Sequence, residues 1–161
     1  MGKKRVAFGA PYPGKIIAIH LIEIGGELIA QKDSFLCAAK GVSVGIALNR
    51  KIGAGLFGGE GFIMQRINGS GMVFIEIDGS LVERILAPGE MIKVDTGNVA
   101  AFEESVSYQA EMVKGFKNIL FGGEGLFLTT LTGPGKVWLQ TMTLPGFAKS
   151  LIPFLPKPSS N

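Results

Sequence analysis

Leu56-Phe57-Gly58-Gly59-Glu60-Gly61 occurs a second time, as Leu120-Phe121-Gly122-Gly123-Glu124-Gly125, 64 residues further on. A single glycine cluster after an apolar residue can be a phosphate-cradling loop, a ligand clamp or a turn. Two clusters at a fixed spacing point to a duplicated unit, and their surroundings agree. Gly69, Gly71 and Val73 fall on Gly133, Gly135 and Val137, and Phe74-Ile75 falls on Trp138-Leu139. Upstream, Gly26-Glu27-Leu28-Ile29 answers Gly89-Glu90-Met91-Ile92 at a shift of 63. A repeat of this period governs the fold before any single motif is weighed.

Inside each unit the periodicity is that of strands. Val106, Tyr108, Ala110 and Met112 alternate onto one face, and Val137 and Leu139 stand opposite Lys136 and Gln140. Ile16–Leu21 and Met72–Ile77 are branched, apolar and too short for helices. Asn68-Gly69 and Asp78-Gly79 read as hairpin dipeptides, because both central positions of a type I′ turn need positive φ. Pro13-Gly14, Pro88-Gly89 and Pro145-Gly146 read as type II turns. Helical periodicity is confined to one turn near Phe147–Ile152. The expected fold is all-β with very little helix, in tandem modules of β-sandwich or double-stranded β-helix type. The expected layout is a flexible basic segment over 1–11, a first β-module with its lead-in strand over 12–86, a second over 87–152, and a Pro-rich tail over 153–161.

With 161 residues, of which 47% are apolar, the chain can build a core without disulfides, and Cys37 is its single cysteine. Cys37 lies in the run Ser34-Phe35-Leu36-Cys37-Ala38-Ala39 and reads as a buried structural thiol. Gly, Pro or charge interrupts every apolar run before the roughly 20 residues a membrane-spanning helix requires, so no membrane insertion is expected. Lys3-Lys4-Arg5 imitates the start of a signal peptide, yet Pro11, Pro13 and Gly14 break the apolar stretch that should follow. A cytoplasmic location is the expectation.

Three runs carry a family resemblance. They are Leu56–Ile75, Pro88–Glu103 and Thr132–Thr141, and they closely resemble the AIM family of mitochondrial biogenesis, named for altered inheritance of mitochondria. The resemblance implies tandem modules similar to the tryptophan RNA-binding attenuation protein fold, assembled into a ring-like homotrimer. It implies no established enzymatic activity, no cofactor and no agreed set of functional residues. Family members carry about one further module ahead of the part seen here, so this chain is expected to begin one module short.

The residues that imitate known chemistry fail its requirements. A phosphate loop needs a lysine and a Ser or Thr after its last glycine, whereas Phe62-Ile63 follows Gly61 and Leu126-Phe127 follows Gly125. Gly58, Gly59, Gly61, Gly122, Gly123 and Gly125 are therefore read as repeated turns or bulges. Glu60 and Glu124 are expected to accept backbone hydrogen bonds or to pair with a basic residue across a module boundary. Asp95-Thr96-Gly97 matches the aspartic-protease turn, but that mechanism needs two aspartates sharing a proton, and the equivalent Lys32-Asp33-Ser34-Phe35 lacks the glycine. His20 is the single histidine, and no carboxylate cluster is spaced to make a metal site with it, so it reads as a strand residue.

Arg50 and Lys114 each precede a copy of the glycine cluster by six residues, with Lys51 and Lys117 close by. On a ring they would form an anion-binding belt able to neutralise phosphates. The net charge of only +3 favours a solvated loop face over nucleic acid. The sequence thus describes a non-enzymatic homo-oligomeric β-scaffold with no cofactor and unnamed protein partners. A nucleic-acid-binding ring comes second and a hydrolase at a subunit interface third.

Overall fold

The computed structural model describes residues 2–50, 62–112 and 127–156. Twelve strands fall in this part: β1 Gly14–His20, β2 Glu27–Gln31, β3 Phe35–Ala38, β4 Ser43–Arg50, β5 Phe62–Asn68, β6 Met72–Asp78, β7 Leu81–Leu86, β8 Met91–Asp95, β9 Val99–Glu103, β10 Ser107–Met112, β11 Phe127–Thr132 and β12 Gly135–Gln140. One α-helix, α1, spans Leu144–Leu151. The protein is all-β, as its branched apolar runs require.

The strands form three antiparallel sheets, ordered β1-β6-β3, β10-β11-β8 and β4-β5-β2-β9-β12-β7. The pairing order of the first half recurs in the second. β1-β6-β3 corresponds to β7-β12-β9, and β4-β5-β2 corresponds to β10-β11-β8. In the six-stranded sheet β2 and β9 meet edge to edge, with Leu28, Ile29 and Ala30 opposite Glu103, Phe102 and Ala101.

That sheet has a hydrophobic core on each face. From β2, Leu28 and Ala30 enter one core while Ile29 enters the other. From β12, Trp138 and Val137 divide in the same way. The first core is completed by Ile19, Val73, Ile75 and Ile77 of the β1-β6-β3 sheet. The second is completed by Phe127 and Leu131 of the β10-β11-β8 sheet. A strand covered on both faces has no polar face, which is why β2 and β9 are buried almost throughout. Each large aliphatic side chain enclosed there contributes roughly 1.5–3 kcal/mol. Both cores draw residues from both halves of the chain.

Several turns differ from their sequence reading. Asn68-Gly69 joins β5 to β6 and Asp78-Gly79 joins β6 to β7, and neither pair of strands is hydrogen-bonded. These turns are not hairpins, because the chain changes sheet at each. Pro88-Gly89 is the expected tight turn, with Gly89 at φ +77° and the Glu90 N–H donating to the Ala87 carbonyl at 2.9 Å. Gly14 and Gly146 have no positive φ, so Pro13-Gly14 and Pro145-Gly146 are not type II turns. Pro145 instead opens α1, where a missing N–H costs nothing, and Thr143 Oγ1 caps the helix by accepting from Gly146 N–H at 3.2 Å. On β12 the face opposite Val137 and Leu139 is not solvated, since Trp138 and Gln140 are buried there. Cys37 is half-buried on β3 rather than enclosed. Among the described residues no helix is long and apolar enough to cross a membrane.

Candidate functional site

Both copies of the glycine cluster, 56–61 and 120–125, lie outside the described residues, in the β4–β5 and β10–β11 connections. Gly58, Gly59, Glu60, Gly61, Gly122, Gly123, Glu124 and Gly125 fall there, as do Lys51, Lys114 and Lys117. Arg50 ends β4, and its side chain also lies outside the description.

Asp95-Thr96-Gly97 is a structural corner. Asp95 Oδ1 accepts from the Gly97 N–H at 2.9 Å and caps a 3-10 turn over Thr96–Asn98. Buried Thr96 Oγ1 donates to the Phe127 carbonyl at 3.0 Å, fixing the corner to β11. His20 closes β1 opposite Met72, with Nδ1 enclosed and lacking a hydrogen-bond partner among the described residues. Among the described residues no three His, Cys, Asp or Glu side chains stand together as a metal ion requires.

The structure instead brings together residues the sequence did not single out. A cleft of about 740 Å³ opens where the end of β2, the end of β6, the Thr96–Asn98 turn and the start of α1 converge. This volume lies within the roughly 300–1,000 Å³ usual for small-molecule sites. Its polar lining includes Gln31, Asp33, Glu76, Asp78 and Gln140, and apolar Phe35, Leu144 and Ala148 line it too. Strand alternation explains the acidic wall: Val73, Ile75 and Ile77 of β6 enter the first core, so Glu76 and Asp78 share the opposite face.

The amides hold the cleft in shape. Gln140 Oε1 accepts from the Asp78 N–H at 3.1 Å, and its Nε2 donates to the Gly97 carbonyl at 2.9 Å. Asn98 Nδ2 donates to the Gln140 carbonyl at 2.7 Å. One glutamine thus fixes β6 to the Thr96–Asn98 turn across the chain's two halves. On the other side Gln31 Nε2 donates to Asp33 Oδ2 at 2.9 Å, and Lys32 Nζ stands 3.2 Å from Asp33 Oδ1 at the exposed rim.

Glu76 is only 9% exposed, and its Oε2 is enclosed with no hydrogen-bond partner among the described residues. Burial raises its pKa above the ordinary 4.5, and the charges of Asp78 and Asp33 raise it further. Burial, reinforced by Asp33, likewise raises Asp78 above 3.8. The sequence reads Asp33 as an unmatched counterpart of the Asp-Thr-Gly turn, Asp78 as half of a hairpin dipeptide and Gln140 as an outward strand residue, and none of them as part of a site. The available signal was Glu76 itself, a charge inside the apolar run Met72–Ile77.

Comparison with known proteins supplies the family. The model of the mitochondrial biogenesis AIM24 family matches residues 1–142. The chain belongs to the AIM24 family. This AIM24-family chain is 29% identical over 161 residues to an uncharacterised protein of Streptococcus pyogenes serotype M6, covering 99% of the chain and 62% of that relative. A crystal structure of a Streptococcus pyogenes protein superimposes with a TM-score of 0.73 at 24% identity, over 91% of the chain and 62% of that structure's chain. The chain thus spans less than two thirds of the length of these relatives, and the structural match concerns the fold alone.

Proposed function

We propose that this AIM24-family protein is a non-enzymatic scaffold of duplicated β-modules that assembles head-to-tail with its own copies and acts through protein contacts. A closed homotrimer is the expected ring. The supporting observation is the seam between β2 and β9. The counterpart of β2 is β8 and that of β9 is β3. Strand pairing sets β2 on β8 at a shift of 64 rather than the 63 read from Gly26–Ile29, since Leu28 faces Ile67 as Ile92 faces Leu131. Among the described residues both counterparts are sheet edges, β3 bonded to β6 and β8 bonded to β11. An unpaired edge offers a row of backbone donors and acceptors to another strand.

The same seam formed between copies sets Ile92, Lys93 and Val94 of one copy opposite Ala39, Ala38 and Cys37 of the next. Met91, 67% exposed at the start of β8, would be covered there. Because the two edges differ, the contact is heterologous, the kind that closes into rings when the rotation permits. Sedimentation velocity at micromolar concentration tests the reading. A species of three 17.0 kDa chains is expected, and a strict monomer overturns it.

A further inference from the structure

The geometry points to a ligand site in the acidic cleft: Glu76, Asp78 and Asp33 bind the alkylammonium or guanidinium head of a small amine or of a basic side chain, whose apolar stem lies along Phe35, Leu144 and Ala148. Three carboxylates line one cleft against a single ammonium, that of Lys32, which is engaged with Asp33 at the rim. Glu76 is nine-tenths buried, and its Oε2 has no hydrogen-bond partner among the described residues. A buried carboxylate left unpaired is costly, and Glu76 lines the cleft, so a cationic donor there that the carboxylate turns to meet removes that cost.

The arrangement selects an organic cation over an inorganic one. A divalent metal draws its oxygen ligands to about 2.0–2.6 Å around one point, whereas no three acidic side chains among the described residues converge in that way. An ammonium with three N–H donors, or a guanidinium with five in a planar fork, bridges carboxylates that are further apart. An anion is disfavoured by the same acidic wall. The apolar side of the cleft suits a methylene chain better than a hydrated ion.

The raised pKa values of Glu76 and Asp78 make pH a second readout. A cation prefers the ionised carboxylates, so affinity rises with pH through these values and then levels off. Asp33, Lys32 and Tyr12 are the other titratable groups lining the cleft.

Calorimetry at low salt with 1,5-diaminopentane, agmatine and N-acetyl-lysine methylamide tests the site on the whole chain. Saturable binding is expected for at least one probe, with none for pentan-1-ol. Glu76→Gln and Asp78→Asn are each expected to weaken it by roughly tenfold or more, with thermal melts confirming that both variants fold. Preference for the lysine derivative assigns the site to a polypeptide side chain, and preference for the diamine or agmatine assigns it to a free amine. No saturable binding at millimolar probe, or an affinity unchanged from the parent in both variants, overturns the site.

Discussion

The indole Nε1 of Trp138 donates to Glu83 Oε1 at 2.9 Å, while Lys136 Nζ stands 2.7 Å from that same oxygen. Trp138 is buried in the first core, and the Lys136 ammonium lies 5.1 Å from its ring centroid. One carboxylate of β7 thus satisfies the indole and holds the cation over its ring. Glu83→Ala leaves the indole N–H unpaired and is expected to cost about 1–2 kcal/mol, seen as a lower Tm and altered tryptophan fluorescence. Glu83→Gln retains an acceptor and should cost less.

The pH dependence of that pair follows from the direction of its shift. The hydrogen bond from Lys136 holds Glu83 below its ordinary 4.5, against the opposing effect of desolvation. The native state therefore releases this proton more readily than the unfolded chain. Its contribution is complete above 4.5 and is lost as pH falls through the lowered value. The difference in Tm between the parent and Glu83→Ala should shrink from about pH 7 to about pH 3. A constant difference across that range contradicts the assignment.

Glu76 titrates in the opposite sense. Its pKa is raised by burial and by Asp78 and Asp33, so the native state keeps the proton longer than the unfolded chain does. Stability consequently falls as pH rises from 4.5 through the raised value. Glu76→Gln removes the buried charge and is expected to stabilise the protein at neutral pH by about 1 kcal/mol, or about 2–4 °C. The advantage should vanish below 4.5. An equal gain at both pH values would show that charge is not the cause.

Cys37 provides a covalent probe of the seam between copies. The proposed register sets Val94 of one copy opposite Cys37 of the next, where antiparallel neighbours lie within the roughly 4.4–6.8 Å between Cα atoms that a disulfide spans. Mild oxidation of Val94→Cys should give covalent oligomers on a non-reducing gel. Adding Cys37→Ser should abolish them. Lys93→Cys, whose side chain leaves the opposite face of β8, should cross-link poorly. Equal cross-linking from both positions is incompatible with the register.

Two glycines separate backbone strain from crowding. Gly79 and Gly89 have φ of +72° and +77°. A Cβ at Gly79 would stand 2.8 Å from Thr141 Oγ1 and 3.0 Å from Met142 Cβ, whereas one at Gly89 would have nothing within 4 Å. Gly89→Ala should cost about 1–2 kcal/mol from conformation alone. Gly79→Ala should cost more, because the corner from β6 to β7 packs on the Thr141–Met142 segment. Chemical denaturation measures both, and equal losses would mean that the corner yields freely.

Strand identity was readable wherever one face of a strand sets it. Ile16–Leu21 and Met72–Ile77 became β1 and β6 because branched apolar runs of that length suit a covered strand. Strand partners were less legible. Asn68-Gly69 and Asp78-Gly79 contain the residues a hairpin needs, but a turn specifies local φ and not which sheet the next strand joins. The cleft was invisible for a related reason: Gln31, Glu76 and Gln140 are far apart in sequence and meet only when β2, β6 and β12 end at one corner. Gln140 reads as an ordinary outward polar residue, although its amide ties Asp78 to Gly97.

The seam between β2 and β9 also sets a timetable for synthesis. β2 is complete at Gln31, but its partner is complete only at Glu103, and Trp138, which shares their core, emerges later still. At roughly 5–20 residues per second on the ribosome, one side of β2 waits on the order of 4–14 seconds for its partner. During that interval its backbone is open to strands of neighbouring nascent chains. Crowded polysomes are therefore where this protein is most exposed to mispairing, and slower initiation, which spaces the nascent chains, should raise its soluble yield.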